Sequence, residues 1–176
     1  LGLLRPKVVI DTSGDGDIAA KAGAPFEVGR REDGKMMPVT LFLTIGNVDD
    51  DRVVDWMREH EKLHPGERLF ECIVKQARET GDWTLEREFL NLYREPTPGQ
   101  WRVNTTRVQN IDGTNPDDLS RAEVESRRQA WDLIRFFRSH CPGLENTQLL
   151  ATGSQVGVRE TRHILGDYVL NGQDVL

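Results

Sequence analysis

Cysteine is scarce. Cys72 and Cys141 are the two in 176 residues; they stand far apart and outside any C-x-x-C pattern, so neither a disulfide framework nor a cysteine zinc site is indicated. A reducing compartment suits such a chain, and a cytoplasmic location is the expectation. Long apolar runs are missing as well, since nothing approaches the roughly 18 residues a membrane-spanning helix needs, and no membrane segment is expected. Positive charge is in deficit: 23 Lys and Arg against 29 Asp and Glu give a net charge of −6, which argues against general attraction to nucleic acid or anionic lipid. There is no P-loop, no G-x-S-x-G and no Ser/His/Asp pattern. Fixed-period repeats and low-complexity tracts are absent too. The chain does not open with Met, and no G-x-G-x-x-G precedes its first Gly-rich turn, so the expectation is a piece of something larger.

What is there reads as one domain of mixed class. Val8 to Ile10 is a β-branched run that leads into a turn marked by Gly14 and Gly16, and Ile18 to Ala22 is small and helix-permissive: strand, turn, short helix. Val39 to Ile45 is nearly continuous in apolar and β-branched residues, which predicts a central strand covered on both faces. A helix is expected after Asp49 or Asp50, burying Val53, Met57 and Leu63 with Trp56 flanking, and ending at His64 before Pro65. A second runs from about Glu67 to Glu79 and is closed by Gly81.

Glu86 to Arg94 and Trp101 to Val108 flank Pro96-Thr97-Pro98-Gly99 and read as a hairpin. Ser120 with Glu123 has the spacing of a capping box, predicting a long helix over about 120–140 that buries Leu119, Ala122, Ala130, Leu133, Ile134 and Phe137 and stops by Pro142-Gly143. Gln148 to Leu170 reads as two or more strands bent at Gly153 and Gly157. The class that results is α+β, a mixed and largely antiparallel sheet packed with helices.

Chemistry is suggested at four places. At Gly14-Asp15-Gly16, glycines let the backbone come close to a ligand, and N–H groups at a helix start face phosphate or ribose oxygens; a tight turn with solvated Asp15 and Asp17 explains the same residues. Asp11, Ser13, Asp15 and Gly16 also match the opening positions of an EF-hand loop, but Ala22 stands where the bidentate Glu belongs. His60-Glu61-Lys62-Leu63-His64 satisfies H-E-x-x-H, the zinc peptidase pattern, although Pro65 disfavours a helical His64 and the surroundings are those of a solvated helix end; no metal is assigned. Arg159-Glu160-Thr161-Arg162 sets two cations close together, suited to gripping a carboxylate or phosphate, although in a strand the two arginines would point to opposite faces. Asn104-Thr105-Thr106-Arg107 offers polar groups at a strand end, and formally also a glycosylation sequon. His140 and His163 stand alone and read as structural.

In order, DTSGDGDIAAKAGAPFEVGRREDGKMMPVTL, WRVNTTRV, DGTNPDDLSRAEVESRRQAW and GVRETRHILGDYVL resemble the middle part of FAD-dependent oxidoreductases of the xanthan lyase-like type. In that family the usual A-T-G-D-G-D corresponds to Thr12-Ser13-Gly14-Asp15-Gly16-Asp17 here. The resemblance implies that residues 1–24 are the tail end of an FAD-binding domain and residues 25–176 the substrate domain of a Rossmann-type flavoprotein. By the same resemblance, Gly14, Asp15 and Gly16 would lie near the dinucleotide, and Arg159, Glu160 and Arg162, with Asn104 and Arg107, toward a small-molecule substrate. Because the G-x-G-x-x-G unit is missing, this piece is expected to bind FAD weakly or not at all and to be inactive alone. A non-catalytic binding or assembly module is the alternative. Apolar surface exposed where a neighbouring domain would pack is expected to favour a dimer.

Overall fold

The computed structural model describes residues 3–168 and 171–175. Its centre is a four-stranded antiparallel sheet of β2 (Leu43–Gly46), β3 (Leu92–Arg94), β4 (Trp101–Val103) and β5 (Gln148–Thr152), in the order β3-β4-β2-β5. The expected central position of the Val39–Ile45 segment is found, because β2 lies between β4 and β5. Its expected burial on both faces is not. Val39, Leu41, Leu43 and Ile45 are buried, whereas Phe42 is 44% exposed. The sheet is antiparallel and packs one face on the core, so alternate side chains face out.

The expected hairpin forms, with shorter strands: Tyr93 pairs with Arg102 and Arg94 with Trp101. A separate two-stranded sheet joins β1 (Phe26–Val28) to β6 (Arg162–Ile164), pairing Phe26 with Ile164 and Val28 with Arg162. Val8–Ile10 is not a strand. Its side chains are 75%, 64% and 82% exposed, and a β-branched run without a neighbouring strand has nothing to exchange backbone hydrogen bonds with. The Val169–Leu170 end of the last expected strand region lies outside the described residues.

Helix α1 (Asp17–Lys21) follows the Gly/Asp turn. Helix α2 (Asp50–Leu63) starts at Asp49, whose side chain accepts the Arg52 N–H, and ends at His64 as Pro65 requires. It buries Val53 and half-buries Trp56; Met57 (42% exposed) and Leu63 (76%) instead face away from the core. Helix α3 (Glu71–Thr80) begins later than Glu67 because residues 68–71 form a turn, the Glu71 N–H donating to the Arg68 carbonyl at 3.0 Å, with Phe70 in the left-handed region at φ 60 and buried. Gly81 closes it at φ 85, the conformation that favours glycine at this position.

Helix α4 (Pro116–His140) starts four residues before the expected Ser120 cap. Asn115 accepts the Asp117 N–H, and Pro116 sits where its missing N–H costs nothing. Ser120 is thus inside the helix, its hydroxyl donating to the Pro116 carbonyl. Ala122, Ala130, Leu133, Ile134, Phe136 and Phe137 join the sheet residues in one core cluster, each large side chain contributing roughly 1.5–3 kcal/mol by leaving water. Among the described residues no helix is long and apolar enough to cross a membrane. The protein is mixed α+β, with antiparallel sheets packed against helices, as the pattern of elements predicts.

Candidate functional site

The Gly/Asp turn is built by short-range hydrogen bonds. Asp11 accepts the N–H groups of Ser13 at 2.9 Å and Ala19 at 2.8 Å, and the Ser13 hydroxyl accepts the Asp17 N–H at 2.9 Å. These donors, Ala19 first and then Ser13, lower the Asp11 carboxyl to about 2. Gly14 and Gly16 take φ values of 84 and 64, which only glycine adopts without strain.

The turn is clasped by the last block of the chain. The Thr161 hydroxyl donates to Asp15 Oδ1 at 2.7 Å, and Arg162 donates to the Asp15 carbonyl at 3.0 Å and to Asp17 Oδ1 at 2.7 Å. Ile164 packs beside Gly16, where an added Cβ would lie 2.9 Å from Ile164 Cδ1. Two of the sequence-predicted groups are therefore joined: Asp15 and Gly16 from one, Arg162 from the other. The Arg162 guanidinium is engaged by the turn and stacks toward Phe26, 5.6 Å from the ring centre.

Glu160 and Arg107 line one cavity of about 180 Å³ together with Arg30, Lys35 and Met37. Both Glu160 oxygens are in use, one accepting the Met37 N–H at 2.7 Å and the other facing His163 Nε2 at 2.8 Å. His163 first, and then that backbone N–H, hold the Glu160 carboxyl below its usual range. Arg107 is fixed through its backbone, because Gln129 accepts its N–H at 2.8 Å and donates to its carbonyl at 2.9 Å. Its Nε is buried without a partner. Asn104 bonds through its backbone N–H to the Asn91 carbonyl at 2.8 Å, and does not line that cavity. Arg159 is exposed. Asp15 lines a different and larger cavity of about 420 Å³ with Gly113, Glu123 and Val156–Val158.

The H-E-x-x-H residues take another arrangement. His64 has left the helix at φ −136, and the His60 ring nitrogens face Glu67 at 3.1 Å and Cys72 at 3.7 Å rather than Glu61. Lys75 holds the other Glu67 oxygen at 2.9 Å. Sequence spacing gave no hint of this grouping, since its members come from α2, a turn and α3.

The family model described as FAD dependent oxidoreductase matches residues 2–176. The chain belongs to this FAD dependent oxidoreductase family. No curated protein and no solved structure matches it. The match carries the family, and with it FAD as the cofactor, without the xanthan lyase-like subdivision. Of the three residues expected near FAD in this flavoprotein, Gly14 is the one that fits a close backbone approach, since nothing lies within 4 Å of where its Cβ would be. Gly16 is closed off by Ile164, and the Asp15 carbonyl and one of its carboxylate oxygens are already taken by Arg162 and Thr161. Sequence reading also passed over Arg68 and Arg87, whose one visible signal is their shared aromatic neighbour, Phe89.

Proposed function

We propose that residues 25–176 serve as the substrate-side domain of a flavin-dependent oxidoreductase, and that residues 11–17 form one wall of its dinucleotide site. The observation that carries this reading is the clasp between the Gly/Asp turn and residues 161–164. It puts the open backbone of Gly14 and the Arg159–Arg162 segment on neighbouring parts of one surface, which suits a flavin lying between cofactor-binding and substrate-binding residues. Bound FAD supplies hydride chemistry. The chain's own residues orient and screen: Gly14 permits close approach, Arg162 neutralises Asp17, and Arg107, Arg159 and Asn104 are available to a small polar or anionic substrate.

The test is flavin content and flavin reduction in the native polypeptide. Gly14→Val is expected to lower bound flavin, because it fills the open side and strains a φ of 84. Arg162→Met is expected to lower it too, by releasing the turn. Stoichiometric flavin unaffected by both substitutions would remove the basis of the proposal. The 176-residue chain alone, without a Gly-rich pyrophosphate cradle, is expected to retain little FAD on gel filtration; a yellow, stoichiometric sample would contradict that.

A further inference from the structure

The end of α2 and the start of α3 bring an imidazole, a carboxylate and a thiol together away from the Gly/Asp turn. Among the described residues, His60, Glu67 and Cys72 are the one group of three histidine, cysteine or carboxylate side chains whose ligand atoms all lie within 4.8 Å of one another. His60 is the middle member. Its Nε2 faces Glu67 Oε2 at 3.1 Å and its Nδ1 faces Cys72 Sγ at 3.7 Å. The group is sheltered without being sealed, since the His60 and Glu67 side chains are 10% and 24% exposed and Cys72 is half-buried.

Packing holds these groups in place. The His60 ring is stacked between Trp56 and His64, each with its ring centre 4.6 Å away and with interplanar angles of 9° and 21°. Trp56 in turn packs on Phe70, which is fully buried and opens α3. Lys75 takes Glu67 Oε1 at 2.9 Å and Glu71 at 3.1 Å, which leaves Glu67 Oε2 on the His60 side. One ammonium is thus shared by two carboxylates, and the local charge stays negative. First the imidazole is locked by stacking, then the carboxylate by its ion pair: this is the support that orients metal ligands.

We propose that His60, Glu67 and Cys72 form a binding site for a zinc-class divalent ion, with the fourth position left to water. Nitrogen, sulfur and oxygen donors in one group suit zinc and its borderline-soft neighbours, whereas magnesium and calcium call for oxygen alone. A tetrahedral zinc ion sets such ligand atoms about 3.3–3.6 Å apart, given bond lengths of about 2.0–2.3 Å. The group therefore closes by about 1 Å around an ion held through one ring nitrogen, and the thiol proton leaves to solvent as the sulfur–metal bond forms. The ligand set differs from the H-E-x-x-H pattern, because Glu61 and His64 are not members. The site is independent of the flavin reading above.

The experiment is titration of the reduced, metal-free 176-residue chain with Co2+, followed by displacement with Zn2+ and, separately, Mg2+. One equivalent of Co2+ is expected to bind saturably and to produce a thiolate-to-metal charge-transfer absorption, which Zn2+ removes and Mg2+ does not. Cys72→Ser should abolish the absorption even though Cys141 remains, because Cys141 is buried at 1% exposure. His60→Gln and Glu67→Gln should each weaken binding at least about tenfold. Glu61→Gln, at an exposed residue that accepts the Gly66 N–H at 3.4 Å, should leave it unchanged. Should the variants fold poorly, the parent chain still answers: Zn2+ should slow iodoacetamide labelling of Cys72 about tenfold, and Mg2+ should not. The proposal is overturned by the absence of a charge-transfer absorption, by its survival in Cys72→Ser, by equal competition from Mg2+, or by unprotected labelling. A larger loss in Glu61→Gln than in Glu67→Gln also overturns it, by moving the ligands to the H-E-x-x-H pattern. Flavin is not read in these measurements, so failure here and failure of the proposed function are separately visible.

Discussion

Asp50 shows how much one carboxylate does in this fold. One oxygen accepts the Trp101 indole N–H at 2.7 Å, and the other accepts the Gly99 N–H at 3.0 Å and Arg94 at 2.9 Å. Burial opposes its ionisation, yet these donors outweigh burial and hold its pKa below the usual range. Asp50→Asn should cost about 1–3 kcal/mol in urea unfolding, because charge-assisted bonds are lost while the indole stays buried. Asp11 makes the pH counterpart. Its folded pKa of about 2 lies below the ordinary aspartate value of 3.8, so its contribution is complete above the unfolded value and is lost as pH falls through about 2. Carboxyl carbon NMR should put the Asp11 midpoint near 2; an ordinary midpoint would mean that its bonds to Ser13 and Ala19 are not maintained. Residue types at these sites were legible in the sequence. Their partners were not, since Asp50 meets Trp101 across 51 positions and Asp17 meets Arg162 across 145, and no local rule encodes such distances.

Helices were the most readable elements. The Asp49 cap, the stop before Pro65 and the Gly81 closure each follow from local chemistry that tertiary packing had no reason to override. The start of α4 shows where such rules compete, because Ser120-x-x-Glu123 and Asn115-Pro116 both carry helix-start chemistry. The upstream pair prevails, since Asn115 caps, Pro116 presets the first φ, and Asp117 and Asp118 complement the helix dipole. Asn115→Ala should therefore lower stability by about 1 kcal/mol, and Ser120→Ala should be nearly neutral, in the same denaturant series. The reverse order would return the cap to Ser120. Strands were less legible: apolar content alone made Val8–Ile10 and the Val39–Ile45 segment look alike, whereas only the second finds neighbours on both sides.

At the scale of the whole molecule, two parts are held by different means. The central sheet and α4 share one apolar cluster, so Phe137→Ala, at a position with no exposed surface, should cost about 3–5 kcal/mol and lower the main melting transition. The N-terminal turn contributes no residue to that cluster. It is tied to the rest by the β1–β6 pairing and by polar bonds from Thr161 and Arg162. Arg162 is only 17% exposed, but its partner Asp17 is 45% exposed, so solvent screening limits the pair to about 1 kcal/mol of local stability. Arg162→Met should therefore speed tryptic cleavage at Lys21 about fivefold and leave the main melting transition in place. Cleavage at Lys21 and the main transition shifting together would show instead that the clasp and the core unfold as one unit, and the Gly/Asp turn would then be part of the stable body of the protein rather than a wall fastened to it.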